Sequence, residues 1–73
     1  MKLQLLSCSA PRPDARAIAK MLEENADGMD AFEAREQTEF FLDGTPLEIT
    51  VSANTSSALR AIRKVSIDYE IMD

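Results

Sequence analysis

Cys8 is the sole cysteine and histidine is absent, so neither an internal disulfide nor an ordinary structural zinc site can staple this fold. In a chain of 73 residues that is the tightest constraint. A domain of such a size buries only about 60% of the surface its unfolded chain exposes. Its own core is then worth only a few kcal/mol, and a partner chain is the remaining source of added stability. The length fits one domain, expected over residues 1–73. A lone thiol suits a reducing compartment. No apolar run approaches the roughly 18 residues that span a bilayer, and the stretch from Met1 to Leu6 is too short for a signal-peptide core. These features lead us to expect a cytoplasmic protein without a membrane partner. The net charge of −5 opposes non-specific nucleic-acid binding, which needs Lys and Arg facing phosphates.

Residues 2–8 read as a strand with Leu3 and Leu5 on one face, and Pro11 and Pro13 then break regular structure. Asp14 is an N-cap signal for a helix over Ala15 to Ala26, with Ile18, Ala19 and Leu22 on its apolar stripe. Asn25, Asp27 and Gly28 supply its stop. From Phe32 to Leu42 the pattern alternates, with Phe32, Ala34, Thr38, Phe40 and Leu42 on one face and Glu33, Arg35, Gln37 and Glu39 on the other. This predicts a second strand in which Glu36 and Phe41 break the pattern. Asp43-Gly44 reads as a hairpin turn, with Pro46 near the start of the next strand. Leu47 to Ala53 alternates without a fault and predicts the third, central strand. A second helix is expected from about Ser56. Ala58, Ile62, Val65, Tyr69 and Met72 fall within about 80° of one another on a helical wheel, leaving Ile67 and Ile71 on the opposite, exposed side. The rival reading makes residues 65–72 a fourth strand, because Val65, Ile67, Tyr69 and Ile71 also alternate with polar neighbours.

The expected fold is therefore α+β, in the order β-α-β-β-α. Two helices cover one face of a three-stranded antiparallel sheet of spatial order 1-3-2. The alternative is a ferredoxin-like domain with 65–72 as the fourth strand.

Catalytic signals are sparse. Without histidine the commonest base and any Ser-His or Cys-His pair are missing, and Gly28 and Gly44 cannot make a phosphate loop. Glu33, Glu39 and Glu48 read as a solvated strand face, Cys8 as a small packed residue, and Glu36 as an acid near a sheet edge. No enzyme activity, cofactor or metal is expected. The basic residues Arg12, Arg16, Lys20, Arg60, Arg63 and Lys64 lie on or just before the two expected helices, a layer suited either to solvent or to RNA or an acidic partner. RNA readers of ferredoxin-like fold stack bases on exposed aromatics of the sheet, and Phe41 alone would hold such a place.

The run Leu47 to Ala61, and most sharply Ser57-Ala58-Leu59-Arg60-Ala61, resembles the small dimerisation subunit of the archaeal and eukaryotic KEOPS complex, or a divergent paralogue of it. Ala15 to Ile18, ahead of a Leu-rich turn and an acidic stop, resembles the same family. The chain departs from the family's pattern over Ile62 to Tyr69. The resemblance implies two helices on a three-stranded antiparallel sheet and a non-catalytic scaffold that dimerises, as homodimer or as heterodimer with a paralogue. It also implies binding to the catalytic subunit of the complex that adds a threonylcarbamoyl group to tRNA adenosine, with indirect tRNA contact. On the helical reading, Ile67 and Ile71 are the apolar centre of the partner-binding surface and Arg60 and Arg63 its polar rim.

Overall fold

A computed structural model describes residues 1–72; Asp73, the last residue of the expected 1–73 domain, lies outside the described residues. Three strands and three helices follow in the order β1 (Lys2–Cys8), α1 (Ala15–Asn25), α2 (Ala31–Leu42), β2 (Leu47–Thr50), α3 (Thr55–Lys64) and β3 (Ile67–Ile71). The fold is α+β with a three-stranded antiparallel sheet of order β2-β1-β3. β1 pairs with both neighbours: Leu3 stands opposite Ile49 on one side and Ile71 on the other. Since β2 and β3 both run antiparallel to β1, they are parallel to each other, and α3 carries the chain across β1 between them.

Alternation along the strands sets the inner face. Leu3, Leu5, Leu47, Ile49 and Ile67 are buried, while Lys2, Glu48, Thr50 and Glu70 are exposed. The buried set joins Ile18, Leu22, Ala34, Phe41, Ala58 and Ile62 of the helices in one cluster. In the β1–β3 pairing, Leu5 faces Tyr69 and Ser7 faces Asp68, so Leu6 is the extra residue of a bulge. That extra residue returns Cys8 to pairing with Ile67, and the Cys8 thiol donates to the Val65 carbonyl at 3.5 Å.

The first helix forms as expected. The Asp14 side chain accepts from the Ala17 N–H at 3.0 Å, which satisfies one of the orphan donors of the first turn. Beyond it, Asp27 clasps the α1–α2 connection to the end of β2. Its N–H donates to the Thr50 carbonyl at 2.8 Å, and its carboxylate accepts from both the N–H and the hydroxyl of Ser52.

Two expected elements are corrected. Residues 32–42 form a helix, not a strand. The Asp30 side chain accepts from the Glu33 N–H at 2.8 Å, and the buried positions Ala34, Thr38 and Phe41 follow helical spacing. Asp43-Gly44 is accordingly a helix stop. The Thr45 N–H donates to the Phe40 carbonyl and the Gly44 N–H to the Phe41 carbonyl, each at 3.1 Å, with Gly44 at φ +106°. This is the paired bonding of a Schellman cap. A hairpin turn and this cap make the same demand, a residue that tolerates positive φ, so Asp-Gly alone does not separate them.

The second correction lies at the C-terminal end. The expected helix stops at Lys64, and Ile67–Ile71 is a strand. Ser66 makes the break at φ +62°, donating its N–H to the Arg63 carbonyl at 3.0 Å. The strand of the rival reading does form, but with 32–42 helical it is the third strand. Among the described residues the sheet has three strands under three helices, not the four of a ferredoxin-like sheet. Of the alternating residues 47–53 only Leu47–Thr50 form a strand, and it is an edge strand; the central strand is β1.

Gly44 and Ser66 give opposite tests of the same backbone rule. A Cβ at Gly44 would meet nothing within 4 Å, so Gly44→Ala isolates the cost of left-handed backbone, about 1–2 kcal/mol. Ser66→Gly should stabilise by roughly 0.5–1 kcal/mol, the relief outweighing the added freedom of the unfolded chain. Urea unfolding should show the two midpoints moving in opposite directions; a Gly44→Ala variant as stable as the parent would contradict the cap.

Candidate functional site

The helices carry their polar residues outward in two grooves flanking α1. The groove between α1 and α2 holds about 780 Å³; Arg16, Lys20 and Arg35 line it together with Glu23 and Glu39, over small residues such as Ala19 and Thr38. The groove between α1 and α3 holds about 470 Å³, with Arg12, Lys20 and Lys64 beside Asp14 and Glu24. Both grooves mix the two signs of charge, and the Asp14 carboxylate is already engaged at the N-terminus of α1. The basic layer expected along the helices is thus present but interleaved with acids.

The buried polar groups are satisfied. Thr38 is buried and its hydroxyl donates to the Ala34 carbonyl at 2.6 Å, one turn back. Among the described residues no buried side-chain nitrogen or oxygen lacks a partner, no cluster of His, Cys, Asp and Glu has metal-binding geometry, and no helix is long and apolar enough to cross a membrane. Glu36 is exposed on α2 rather than lying near a sheet edge, and Cys8 is half-buried beside Val65.

The four expected partner-binding residues separate. Arg60 and Arg63 are exposed on α3, and Ile71 is 51% exposed at the far end of β3. Ile67 is 3% exposed. It belongs to the core because the break at Ser66 puts it on a strand face turned toward the helices, so it cannot be the centre of a contact surface. Phe41, read as an exposed aromatic of a sheet, is likewise buried, on the inner side of α2.

The aromatics that do face solvent are Phe32 and Phe40, 77% and 53% exposed on the outer side of α2. The alternating reading placed both in the core. The signal that assigns them correctly is Asp30 followed three residues later by Glu33, a helix-start pattern, together with the helix-favouring Ala, Glu, Arg and Gln of residues 31–37.

The open face of the sheet presents Lys2, Gln4, Glu48, Thr50 and Glu70, with Leu6 at the bulge. Among the described residues it has no aromatic side chain on which a base could stack. Compared with known protein families, curated proteins and solved structures, the chain matches none.

Ile67 and Ile71 differ in what their removal should do. Ile67→Ser empties a packed core site and buries a hydroxyl, which should cost at least about 2–5 kcal/mol. Ile71→Ser should cost less than about 1 kcal/mol. Thermal melts followed by circular dichroism should show the first variant largely unfolded and the second close to the parent; equal losses would contradict the strand assignment.

Proposed function

We propose that this chain is a non-catalytic binding protein that works as a scaffold or dimerisation subunit. The observation that carries this reading is the set of large apolar side chains left outside its own core, above all Phe32 and Phe40 together on α2. Leu6, Phe32, Phe40, Leu42, Ile71 and Met72 are each at least 36% exposed. Small soluble domains that keep large apolar side chains in water gain most by covering them with a partner. The absence of histidine and of a glycine-rich loop supports the non-catalytic side of the proposal. An acidic open sheet face without aromatics favours protein over RNA as the direct partner.

The first partner to test is the catalytic subunit of the tRNA threonylcarbamoyl-adenosine complex, bound by a homodimer of this chain or a heterodimer with a paralogue. That narrower assignment is supported by the run Ser57 to Ala61 at the opening of α3. The observed β-α-α-β-α-β order differs from the β-α-β-β-α order expected with that resemblance, so the binding reading leans on the exposed surface rather than on the family. Arg60, Arg63 and Ile71 are the exposed members of the surface expected from the sequence.

Sedimentation of the purified chain with and without the purified catalytic subunit tests the assignment. A stable complex at micromolar concentration is the expected result, with no turnover of ATP or tRNA by the chain alone. Independent sedimentation of the two proteins would remove the named partner, and robust turnover by the isolated chain would overturn the non-catalytic reading.

A further inference from the structure

Ala34, Thr38 and Phe41 form the buried stripe that docks α2. On the opposite side stand Phe32, Glu36 and Phe40, three exposed residues at steps of four. A helix rises 1.5 Å per residue, so the two phenylalanines are about 12 Å apart along one ridge. Solvent-facing helix positions are normally polar, yet here two aromatics stand outside the buried stripe.

We infer that the outer ridge of α2 docks into an apolar groove rimmed with Lys and Arg on a partner protein. This rests on the partner-binding reading above and specifies its surface. The charge around the ridge identifies the occupant. Taking 100° per residue and the ridge centre at Glu36, the exposed Glu33 and Glu39 each lie about 60° to either side, whereas Arg35 lies about 100° away. Two aromatic anchors thus stand among three carboxylates, with Arg16, Lys20 and Arg35 in the α1–α2 groove that Glu39 also lines; the ridge itself is the complement of an apolar groove with basic edges. A second copy fits poorly. An antiparallel two-fold pairing of α2 about Glu36 sets that residue against itself and Glu33 against Glu39, between chains that each carry a net charge of −5. The same carboxylates repel phosphate, which excludes a nucleic-acid backbone from this face.

A designed helical hairpin with a leucine-lined groove and lysines along its rims serves as probe, with a control in which glutamates replace those lysines. Binding is read by fluorescence anisotropy at low and high salt. The chain should bind the lysine hairpin and bind the glutamate hairpin at least about tenfold more weakly. Replacing Phe32→Ser and Phe40→Ser together should weaken binding by about tenfold or more while circular dichroism and melting temperature stay near the parent's. The triple change Glu33→Gln, Glu36→Gln and Glu39→Gln should keep the fold and flatten the salt dependence. If the double serine variant fails to fold, Phe32→Ser alone, at the more exposed position, decides the question. Equal binding of the two hairpins, no binding of either, undiminished binding by the serine variants, or self-association that the serine variants abolish would each overturn the ridge. Binding to the catalytic subunit that survives the serine changes would remove the ridge and leave the scaffold reading standing; absence of any association would remove the scaffold reading itself.

Discussion

Leu3 and Leu5 are fully buried on β1, which has a neighbour on each side, and the remainder of the molecule depends on that pairing. β2 and β3 are both edge strands and do not pair with each other. Each is held by main-chain bonds to β1 and by the apolar side chains it turns beneath the helices. Neither edge would persist alone, since an isolated two-stranded ribbon is marginal in water. The central strand therefore joins residues 2–8 to residues 67–71 across almost the whole chain, and the loops must bring both ends to one place. Asp27 serves that end on the β2 side, tying the turn after α1 to Thr50 and Ser52. Ser66 serves it on the β3 side, where its carbonyl accepts from the Ser9 N–H at 2.8 Å and from the Ser9 hydroxyl.

How far the sequence discloses this arrangement depends on what each residue is responding to. Leu3, Leu5, Leu47 and Ile49 alternate because one sheet face is covered, and period two is then unambiguous. Asp14 and the stripe of Ile18, Ala19 and Leu22 agree on a helix at every level, from cap to packing. The alternation over residues 47–53 points to a central strand, but strand regularity reports a half-buried face and not the number of neighbours. Both an edge and a middle strand can alternate perfectly; only the pairing of β3 with β1 decides between them.

The β3 error has a local cause. A helix ends where one residue adopts left-handed backbone, and glycine or asparagine usually marks the place. Here Ser66 takes that conformation at φ +62°, with no compositional signal. Once the break is missed, Ile67 falls on the wrong side of a wheel and looks like surface. Of the four residues expected at a contact surface, Arg60 and Arg63 are exposed on α3 as read, whereas Ile67 and Ile71 stand on a strand. Ile67 is core, and Ile71, opposite Leu3, is exposed because it ends β3 and not because it backs a helix.

The error over 32–42 has a different origin, and the contrast is informative. No backbone exception occurs there: α2 has an aspartate cap, helix-favouring composition and a glycine stop, all in agreement. The conflict comes from two side chains. Phe32 and Phe40 add apolar positions on the side away from the core, fill in the gaps of the helical stripe and produce a false alternation. Replace them mentally with glutamine and the remaining pattern of Ala34, Thr38 and Phe41 reads as a helix at once. A fold that specifies itself consistently departs from its own rules where residues answer to something other than folding. At Ser66 the departure concerns the backbone and serves the chain reversal into β3. On α2 the departure leaves Phe32 and Phe40 outside the buried core, and its surplus is aromatic area of the kind that interfaces bury.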